Sequence, residues 1–377
     1  MSDLSLDICS FNCNGLGDHK KRKDVFDFLR SKKYSIFLLQ ETHLTFEQEN
    51  FIRSCWGFEV FCAGNSTNSN GVAILFSNNF EYRLHDCIRD PGGRFILLDI
   101  EICKKRITLL NVYGPSVGDN VEFFVEIDNL LQNQTANKII IGGDWNCTLS
   151  SEDCKFYVNN LNRPNTREKI KELMANYDLI DIWRVLNPQK NQYTWRKFNA
   201  NKRARLDYFL ISEELQTEIN KCTIDIKYKS DHSIITISLK KEGFKHGKSY
   251  WKFNNSLLKN EDYIREIKEV IAQVKKDYCI PIYNLDNINN ISNEELVLTI
   301  RYQLFLELLL LKIRLKTISF SSNLYKIEKE RYQYITNTIM LLEDRIDEVG
   351  VKEELEILNN ELLEIRTKKD RRHEYHI

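Results

Sequence analysis

The sequence predicts an α/β protein: a four-layer sandwich of two packed, mixed β-sheets flanked by helices, followed by a mostly helical carboxyl-terminal extension. Short runs rich in β-branched residues recur through residues 1–240, and amphipathic segments lie between several of them. Residues 95–102 and 107–112 are separated only by a short basic turn, so we expect them to pair as an antiparallel hairpin. Strands that alternate with helices and also pair as hairpins indicate mixed sheets packed face to face.

The individual elements follow from local patterns. Apolar runs predict strands over residues 4–11, 36–39, 71–76, 95–102, 107–112, 138–141, 206–211 and 233–239. Apolar residues spaced three and four apart predict helices over residues 21–31, 121–132 and 166–177. Asn165 is the expected N-cap of the third helix, because a short polar side chain can accept a hydrogen bond from the first turn.

The pattern changes after Lys241. Gly243 and Gly247 bracket a basic stretch, and long helical patterns with few strand signals follow. We therefore predict one domain over residues 1–241 and a helical extension over residues 242–377. Within it, apolar residues of the stretch 324–366 recur at alternating spacings of four and three, which predicts a coiled coil or a helical hairpin. An amphipathic helix packed against another domain explains this pattern equally well.

Composition sets limits on function. The chain has 377 residues, of which 42% are apolar, enough for a large core. Lys plus Arg equals Asp plus Glu at 54 each, so any binding to nucleic acid must depend on local patches. The ten cysteines include no Cys-x-x-Cys pair, which argues against structural zinc, and Cys9, Cys103 and Cys222 are expected to be buried thiols in a reducing compartment. No signal peptide or membrane span is predicted, so we expect an intracellular protein without a membrane partner.

Six short polar motifs stand out in residues 1–240, and we place each at the carboxyl end of an apolar run. They are Asn12-Cys13-Asn14-Gly15, Gln40-Glu41-Thr42, Asn111-Val112-Tyr113-Gly114, Gly143-Asp144-Trp145-Asn146, Leu206-Asp207-Tyr208 and Ser230-Asp231-His232. Any one of them alone is more typical of a turn or a solvated loop. Strand ends that converge at one edge of a sandwich would instead bring carboxylates, amides, a phenol and one imidazole together, which predicts a metal-assisted phosphodiesterase.

Hydrolysis of a phosphodiester requires that the charge on the phosphate be neutralised. Mg²⁺ suits this task because it prefers oxygen ligands and uses only one or two protein carboxylates, and Mn²⁺ is the alternative. Glu41 follows the apolar run 36–39 and is the leading candidate ligand. We expect Asn12 and Asn14 to place their amides near the metal and the water, and Asp231 to bind the metal or its waters.

The same reaction requires an oriented water and a stabilised leaving oxygen. Asp144 and Asn146 stand two residues apart after a strand, so in continued strand geometry both would project to one face and hold the attacking water. His232 could take a proton or contact a phosphate oxygen, and we choose Asp207 to orient its ring. The Tyr113 hydroxyl would donate a hydrogen bond to the phosphate or to the leaving oxygen.

Contacts to DNA are expected from two basic clusters. One spans residues 20–23, for which a solvated helix start is the simpler explanation. The other follows a polar and aromatic segment, and the candidate DNA-binding residues there are Thr194, Trp195, Arg196, Lys197 and Arg205. Phosphate contacts would position a duplex, while an aromatic side chain such as Trp195 could enter a groove or pack against it.

Together with Tyr193-Thr194-Trp195, the six motifs resemble those of the endonuclease/exonuclease/phosphatase superfamily, and most of all the apurinic-type endonuclease in the second open reading frame of LINE-type (non-LTR) retrotransposons. The resemblance spans about residues 4–240, and residues 250–258 resemble the segment that links this endonuclease to a reverse transcriptase. It implies a four-layer sandwich with its site at one edge. It also implies these positions: Asn12 and Glu41 at the metal, Asp231 on the metal side, Tyr113 at the phosphate, Asp144 with Asn146 at the attacking water, and Asp207 beside His232.

Two positions depart from the repair-type relatives of this superfamily. Ser116 stands where those relatives often carry Asn, which affects one contact to the substrate. Asn14 stands where they usually carry Asp, although Asn is usual for the retroelement type.

The resemblance implies a divalent-metal-dependent endonuclease of double-stranded DNA, of the retrotransposon target-nicking or the apurinic/apyrimidinic type, and with it a nuclear location. Polymerisation is not expected, because the paired-Asp signature of polymerases is missing. Two other functions stay open. The chain could be another phosphoric ester hydrolase of the superfamily, such as a phosphatase, a sphingomyelinase or a deadenylase. It could also be a catalytically silent DNA-binding protein whose helical extension binds a partner or a second copy.

Overall fold

The computed structural model describes residues 5–32, 34–78, 80–134, 138–155, 163–196, 202–240, 253–281, 296–343, 345 and 348–373. The chain folds into two compact units, Met1–Gly247 and Lys248–Ile377. The domain boundary predicted after residue 241 lies outside the described residues.

The first unit contains fifteen described strands and five described α-helices. The strands are β1 (Ser5–Asn12), β2 (Ile36–Gln40), β3 (Val60–Ala63), β4 (Val72–Phe76), β5 (Arg83–Arg89), β6 (Phe95–Ile102), β7 (Lys105–Tyr113), β8 (Lys138–Asp144), β9 (Cys154–Lys155), β10 (Leu179–Asp181), β11 (Trp195–Arg196), β12 (Arg203–Ala204), β13 (Asp207–Ser212), β14 (Ile219–Ile224) and β15 (Ile235–Lys240). The helices are α1 (His19–Ser31), α2 (Glu49–Trp56), α3 (Glu122–Gln132), α4 (Pro164–Asn176) and α5 (Ile182–Leu186).

Two six-stranded sheets form the frame of this unit. The first has the order β14-β15-β1-β2-β4-β3, and the second has the order β10-β13-β8-β7-β6-β5. Within them β1 and β2 are parallel, as are β7 and β8, while the other neighbours are antiparallel. The sheets are therefore mixed, as predicted. The hairpin predicted between residues 95–102 and 107–112 is the pair β6 and β7.

Three apolar layers hold these elements together. Because side chains alternate between the two faces of a strand, Ile8 and Leu38 face the second sheet, while their neighbours Cys9 and Leu39 face α1 and α2. A third layer packs the outer face of the second sheet against α3 and α4. Burial of one large side chain such as Phe26 stabilises the fold by roughly 2–3 kcal/mol. The layers confirm the predicted four-layer α/β sandwich.

Local details differ from expectation at two positions. Asn165 does not cap α4, because Pro164 occupies the first helical position, where its missing N–H is not needed. The Asp119 carboxylate instead accepts hydrogen bonds from the N–H groups of Asn165 and Thr166. Cys103 is exposed, not buried, because it lies in the turn between β6 and β7 with a left-handed φ of 52°. Cys9 and Cys222 are buried, as expected.

The second unit is mainly helical, with α6 (Glu261–Tyr278), β16 (Cys279–Pro281), β17 (Leu296–Leu298), α7 (Tyr302–Glu343) and α8 (Val351–His373). Helix α6 contacts α7 through Tyr263, whose ring lies 5.3 Å from that of Phe320. Arg331 of α7 forms an ion pair with Glu361 of α8 at 2.7 Å, so the described parts of these two helices contact each other. None of the described helices combines the length and the apolar character required to cross a membrane.

Candidate active site

The carboxyl ends of the two parallel strand pairs bring four motifs to one edge of the sandwich. In the first sheet, Asn12 at the end of β1 lies beside Gln40 at the end of β2, and Glu41 follows. In the second sheet, Tyr113 at the end of β7 lies beside Asp144 at the end of β8. Parallel neighbours end at the same edge of a sheet, which places these side chains together.

The other two motifs reach this edge from the opposite direction. Asp207 is the first residue of β13, which runs antiparallel to β8 and pairs Asp207 with Asp144. His232 precedes β15, which runs antiparallel to β1, and it forms a single bridge with Trp195. The expectation that all six motifs follow the carboxyl ends of strands is therefore wrong for these two, which lie at the amino ends of antiparallel strands.

A buried hydrogen bond joins the two sheets at the centre of the site. The Asn12 side-chain amide donates to Asp144 Oδ2 at 2.9 Å. Beneath it, Gln40 Nε2 donates to Asn111 Oδ1 at 2.7 Å, again from the first sheet to the second. All four residues are almost fully buried. Because buried polar groups are costly unless they are paired, these bonds fix the alignment of the sheets at this edge.

Glu41 and Tyr113 form one side of the site. The Tyr113 hydroxyl donates a hydrogen bond to Glu41 Oε1. Burial raises the pKa of Tyr113 and the Glu41 carboxylate raises it further, so the phenol keeps its proton. Glu41 has a left-handed φ of 47°, which turns the chain out of β2 toward the edge. Among the described residues, no hydrogen-bond donor is recorded for the second carboxylate oxygen of Glu41.

Asp207, His232 and Asp144 form the other side. His232 Nδ1 lies 2.8 Å from Asp207 Oδ2, and His232 Nε2 lies 3.8 Å from Asp144 Oδ2. Burial raises the pKa of Asp144 to about 7, and the Asp207 carboxylate contributes. Burial lowers the pKa of His232, but the carboxylates of Asp207 and Asp144 outweigh it and raise the value to about 10. The imidazole is therefore cationic at neutral pH, with Asp207 fixing its ring.

Asp231 links two further side chains at the rim. Its oxygens accept hydrogen bonds from Trp195 Nε1 at 3.0 Å and from Asn14 Nδ2 at 3.4 Å. The backbone N–H of Asn14 donates to Asn12 Oδ1 at 3.0 Å. Lys21 Nζ donates to the Asn14 carbonyl, so one lysine of the 20–23 cluster reaches the site. The structure thus brings Asn14, Asp231 and Trp195 together beside the central residues.

Asn146 does not continue the geometry of β8. The strand ends at Asp144, and Asn146 has a left-handed φ of 50°. Its N–H donates to Asp144 Oδ1 at 2.9 Å, and its side-chain amide donates to the Gly114 carbonyl at 3.0 Å. The prediction that Asp144 and Asn146 project from one face of a strand is wrong, because an Asx turn forms there. The two side chains are still neighbours at the site.

Two of the predicted DNA-binding residues, Thr194 and Arg205, are buried and do not form an accessible surface. Thr194 is fully buried, and its hydroxyl accepts hydrogen bonds from the N–H groups of Leu206 and Asp207. Arg205 is 1% exposed and is paired with Asp153 at 2.8 Å and Asp181 at 2.5 Å. Lys197 lies outside the described residues. Trp195 and Arg196 are half-buried, and Arg196 Nη1 donates to Ser233 Oγ at 3.0 Å.

Several residues that support the site were not found by sequence reasoning. Arg163 donates hydrogen bonds to the carbonyls of Pro115 and Ser116, and so holds the loop after Tyr113. Arg94 lies with its guanidinium carbon 5.4 Å from the centre of the Tyr113 ring. The only signal for Arg94 is the Gly92-Gly93 pair before it, which predicts a tight turn at the start of a strand.

The donor atoms present suit a hard divalent cation. Among the described residues, one group of three could hold a metal by geometry: Asp144, Asp207 and His232, with ligand atoms within 4.8 Å of one another. Asp207 Oδ1 is buried there without a hydrogen-bond partner. On the other side, the second Glu41 oxygen and the buried Asn12 Oδ1 are further oxygen donors. Oxygen ligands of this kind are those that Mg²⁺ and Mn²⁺ prefer.

The model of the Endonuclease/Exonuclease/phosphatase family matches residues 9–232, more than half of the chain and the whole span between β1 and His232. The chain belongs to this family. The resemblance seen in the six motifs is thereby confirmed, and the site described above lies within the matched residues.

Individual relatives agree with the assignment. An uncharacterized 149 kDa protein of transposon TX1 from Xenopus laevis is 29% identical over 270 residues, covering 71% of this chain. The match covers 20% of that protein, so the chain spans about a fifth of its length. An exodeoxyribonuclease from Bacillus subtilis is 22% identical over 60% of this chain and 96% of its own length. The transposon relative confirms the predicted retroelement resemblance.

A solved structure shares the sandwich fold. The AP endonuclease LMAP from Leishmania major superposes with a TM-score of 0.56 and 19% sequence identity. The match covers 63% of this chain and 88% of that one. At this identity the likeness establishes the fold of the sandwich.

Proposed function

We propose that the chain is a divalent-metal-dependent endonuclease that hydrolyses phosphodiester bonds in double-stranded DNA. One observation carries the proposal: the hydrogen bond from Asn12 to Asp144 joins the Glu41 and Tyr113 side of the site to the Asp207 and His232 side. A metal-binding carboxylate, a buried base and a cation for the phosphate thus face one small space. These are the parts that phosphodiester hydrolysis requires.

Glu41 would hold the metal through its unpaired oxygen, with Asn12 Oδ1 beside it. We favour this side over the group of Asp144, Asp207 and His232, because a cationic imidazole already balances those two carboxylates. Mg²⁺ is the proposed ion and Mn²⁺ the alternative, since the donors are oxygens. The bound ion would supply charge neutralisation at a non-bridging phosphate oxygen. Asp231 and Asn14 would order the surrounding waters from the rim.

The protein's own residues supply the remaining chemistry. Asp144, with a pKa of about 7, can accept the proton of an attacking water, and Asn146 lies beside it to orient that water. His232 stays cationic, so we assign to it a contact with a phosphate oxygen and not the role of a base. Tyr113 keeps its proton and would donate a hydrogen bond to the phosphate or to the leaving oxygen.

DNA is the favoured substrate for two reasons. The relatives include an exodeoxyribonuclease and an AP endonuclease. Lys21, Trp195 and Arg196 surround the site with cations and an aromatic ring, which suit a nucleic-acid strand.

We propose cleavage of the target-nicking or apurinic type. We also propose a nuclear location, and self-association or partner binding through the helical extension.

Nicking of supercoiled plasmid in Mg²⁺ tests this function. Wild type should nick, while Asp144→Ala and His232→Ala should not. Asp86→Ala and His85→Ala, at exposed positions of β5, are matched controls that should retain activity. Sphingomyelin, poly(A) and an inositol polyphosphate assayed in parallel distinguish the related hydrolases. DNA binding without nicking in either Mg²⁺ or Mn²⁺ would identify a silent binding protein instead.

A further inference from the structure

Arg94 places a cation at the site that neither predicted basic cluster contains. Its side chain is half-buried, and the guanidinium carbon lies 5.4 Å from the centre of the Tyr113 ring. Among the described residues its side chain forms one hydrogen bond, from Nη1 to the Tyr113 carbonyl, which is long at 3.4 Å. Throughout the part of the chain that the structure describes, Arg94 forms no ion pair with a carboxylate. A half-buried guanidinium of this kind has unused donors.

A hydrogen-bonded turn holds Arg94 in place. The Asp90 carboxylate accepts hydrogen bonds from Gly92 N at 2.9 Å and from Arg94 N at 2.7 Å. The Tyr113 N–H donates to the Arg94 carbonyl at 2.7 Å. The backbone of Arg94 is thus fixed to the same residue whose phenol contacts Glu41. We call the segment from Asp90 to Arg94 the Asp90 turn.

Close glycine packing ties the Asp90 turn to the Glu41 segment as well. Gly93 has a left-handed φ of 73°, and a Cβ atom there would lie 2.8 Å from Gly64 Cα and from Gly71 N. Gly71 N donates to the Gly93 carbonyl at 3.0 Å, and Thr42 N, next to Glu41, donates to the Gly71 carbonyl at 2.9 Å. Main-chain hydrogen bonds therefore join the three segments directly. Arg94 is therefore presented by a rigid support, which lowers the entropic cost of binding a ligand.

We infer that the Arg94 guanidinium binds a backbone phosphate of the DNA strand, next to the phosphate that Tyr113 contacts. This inference rests on the proposed function. A guanidinium binds phosphate through two parallel N–H donors, and Arg94 has such donors free beside the reacting edge. Lys21 contacts the Asn14 segment and Arg196 contacts Ser233, so each cation is attached to a different part of the rim. A strand crossing the site would meet Arg94 on the Tyr113 side.

The salt dependence of DNA binding tests the inference. Affinity for a fluorescent duplex oligonucleotide is measured by anisotropy in EDTA at several KCl concentrations between about 50 and 200 mM. Each lost phosphate contact lowers the slope of log Kd against log [KCl] by about 0.9. Arg94→Gln should show this decrease and weaker binding, whereas Arg94→Lys should keep the slope because it keeps the charge. A packing role of Arg94 would not change the slope.

Arg83→Gln is the matched control. Arg83 is exposed at the start of β5, where it pairs with Glu101, and β6 separates that end of the sheet from Arg94 by about 20 Å. Its variant should retain the wild-type slope. An unchanged slope and affinity for Arg94→Gln, or for Arg94→Ala if the glutamine variant unfolds, would overturn the inference. A wild-type chain that neither binds nor nicks DNA would instead refute the proposed function.

Discussion

Asn12, at the end of β1, donates a buried hydrogen bond to Asp144, at the end of β8, across the gap between the two sheets. The bond lowers the pKa of Asp144 against the opposing effects of burial and Asp207. It also orients one carboxylate oxygen, while the Asn146 N–H orients the other. The alignment of the sheets and the chemistry of the proposed base therefore depend on the same contact.

Replacement of Asn12 by Ala should reduce nicking by about 10²-fold, because it leaves Asp144 misoriented and with a higher pKa. Initial nicking rates at saturating DNA measure the effect. Asn129→Ala, on the exposed face of α3, should match wild type. Wild-type rates for a folded Asn12→Ala would show that the bond between the sheets has no role in activity.

Tyr113→Phe should reduce kcat by about 10–10²-fold while the affinity for DNA changes little, because only the hydroxyl donor is lost. The ring remains, so its packing against Arg94 and the fold are preserved. Single-turnover nicking and the anisotropy assay measure the two quantities separately. A large loss of affinity with unchanged kcat would contradict the expected role.

The imidazole of His232 should stay protonated through the neutral range in the metal-free protein. Burial lowers its pKa, but Asp207 and Asp144 raise it to about 10, so its ring signals should not titrate between about pH 5.5 and 8. NMR of histidine-labelled protein in EDTA checks this. In Asp207→Asn the pKa of His232 should fall, because the largest raising charge is removed. Titration of wild-type His232 near its ordinary value of about 6.5 would refute the prediction.

Arg205→Ala should destabilise the first unit by about 3–5 kcal/mol, because it leaves Asp153 and Asp181 buried without their cation. Urea unfolding measures the change, with Arg83→Ala as the control for an exposed arginine. The affinity of the remaining folded protein for DNA should equal that of wild type. Reduced affinity for DNA without loss of stability would show that Arg205 contributes to DNA binding, as the sequence predicted.

Asp153 should make the fold sensitive to acid. Burial raises its pKa, but the hydrogen bonds and charges of Arg205 and Arg184 lower it below the ordinary value. A lowered pKa in the folded state contributes stability above the unfolded pKa of about 3.9, and this contribution is lost as pH falls through the folded pKa. The unfolding free energy of wild type should exceed that of Asp153→Asn near neutrality, and the difference should shrink below about pH 4. A difference that is constant with pH would contradict this origin.

Much of the sandwich could be predicted because its strands carry their pattern in sequence. The runs that became β1, β2, β6 and β7 are apolar on both faces, since each sheet is covered on both sides. The polar ends of those runs were also visible, which is why Glu41 and Tyr113 could be placed at one edge. Strands β5 and β14 were not predicted, because exposed and charged residues interrupt their apolar pattern at the sheet edges.

What sequence could not supply is the partner of each polar side chain. Arg205 and Arg196 belong to one basic stretch, yet Arg205 meets two buried carboxylates from distant segments, whereas Arg196 donates a hydrogen bond to Ser233. Asn146 looked like the continuation of a strand, but its N–H turns back to Asp144. The bonding partner of each polar side chain depends on its tertiary neighbours, which local residue spacing does not encode.

The bare-backbone contact among Gly64, Gly71 and Gly93 has a consequence for protein engineering. The three segments pack against one another through main-chain atoms. Replacement of one segment alone would therefore cause steric clashes with the other two. Chimeras with family members should therefore be made by transplanting all three segments as a single cassette.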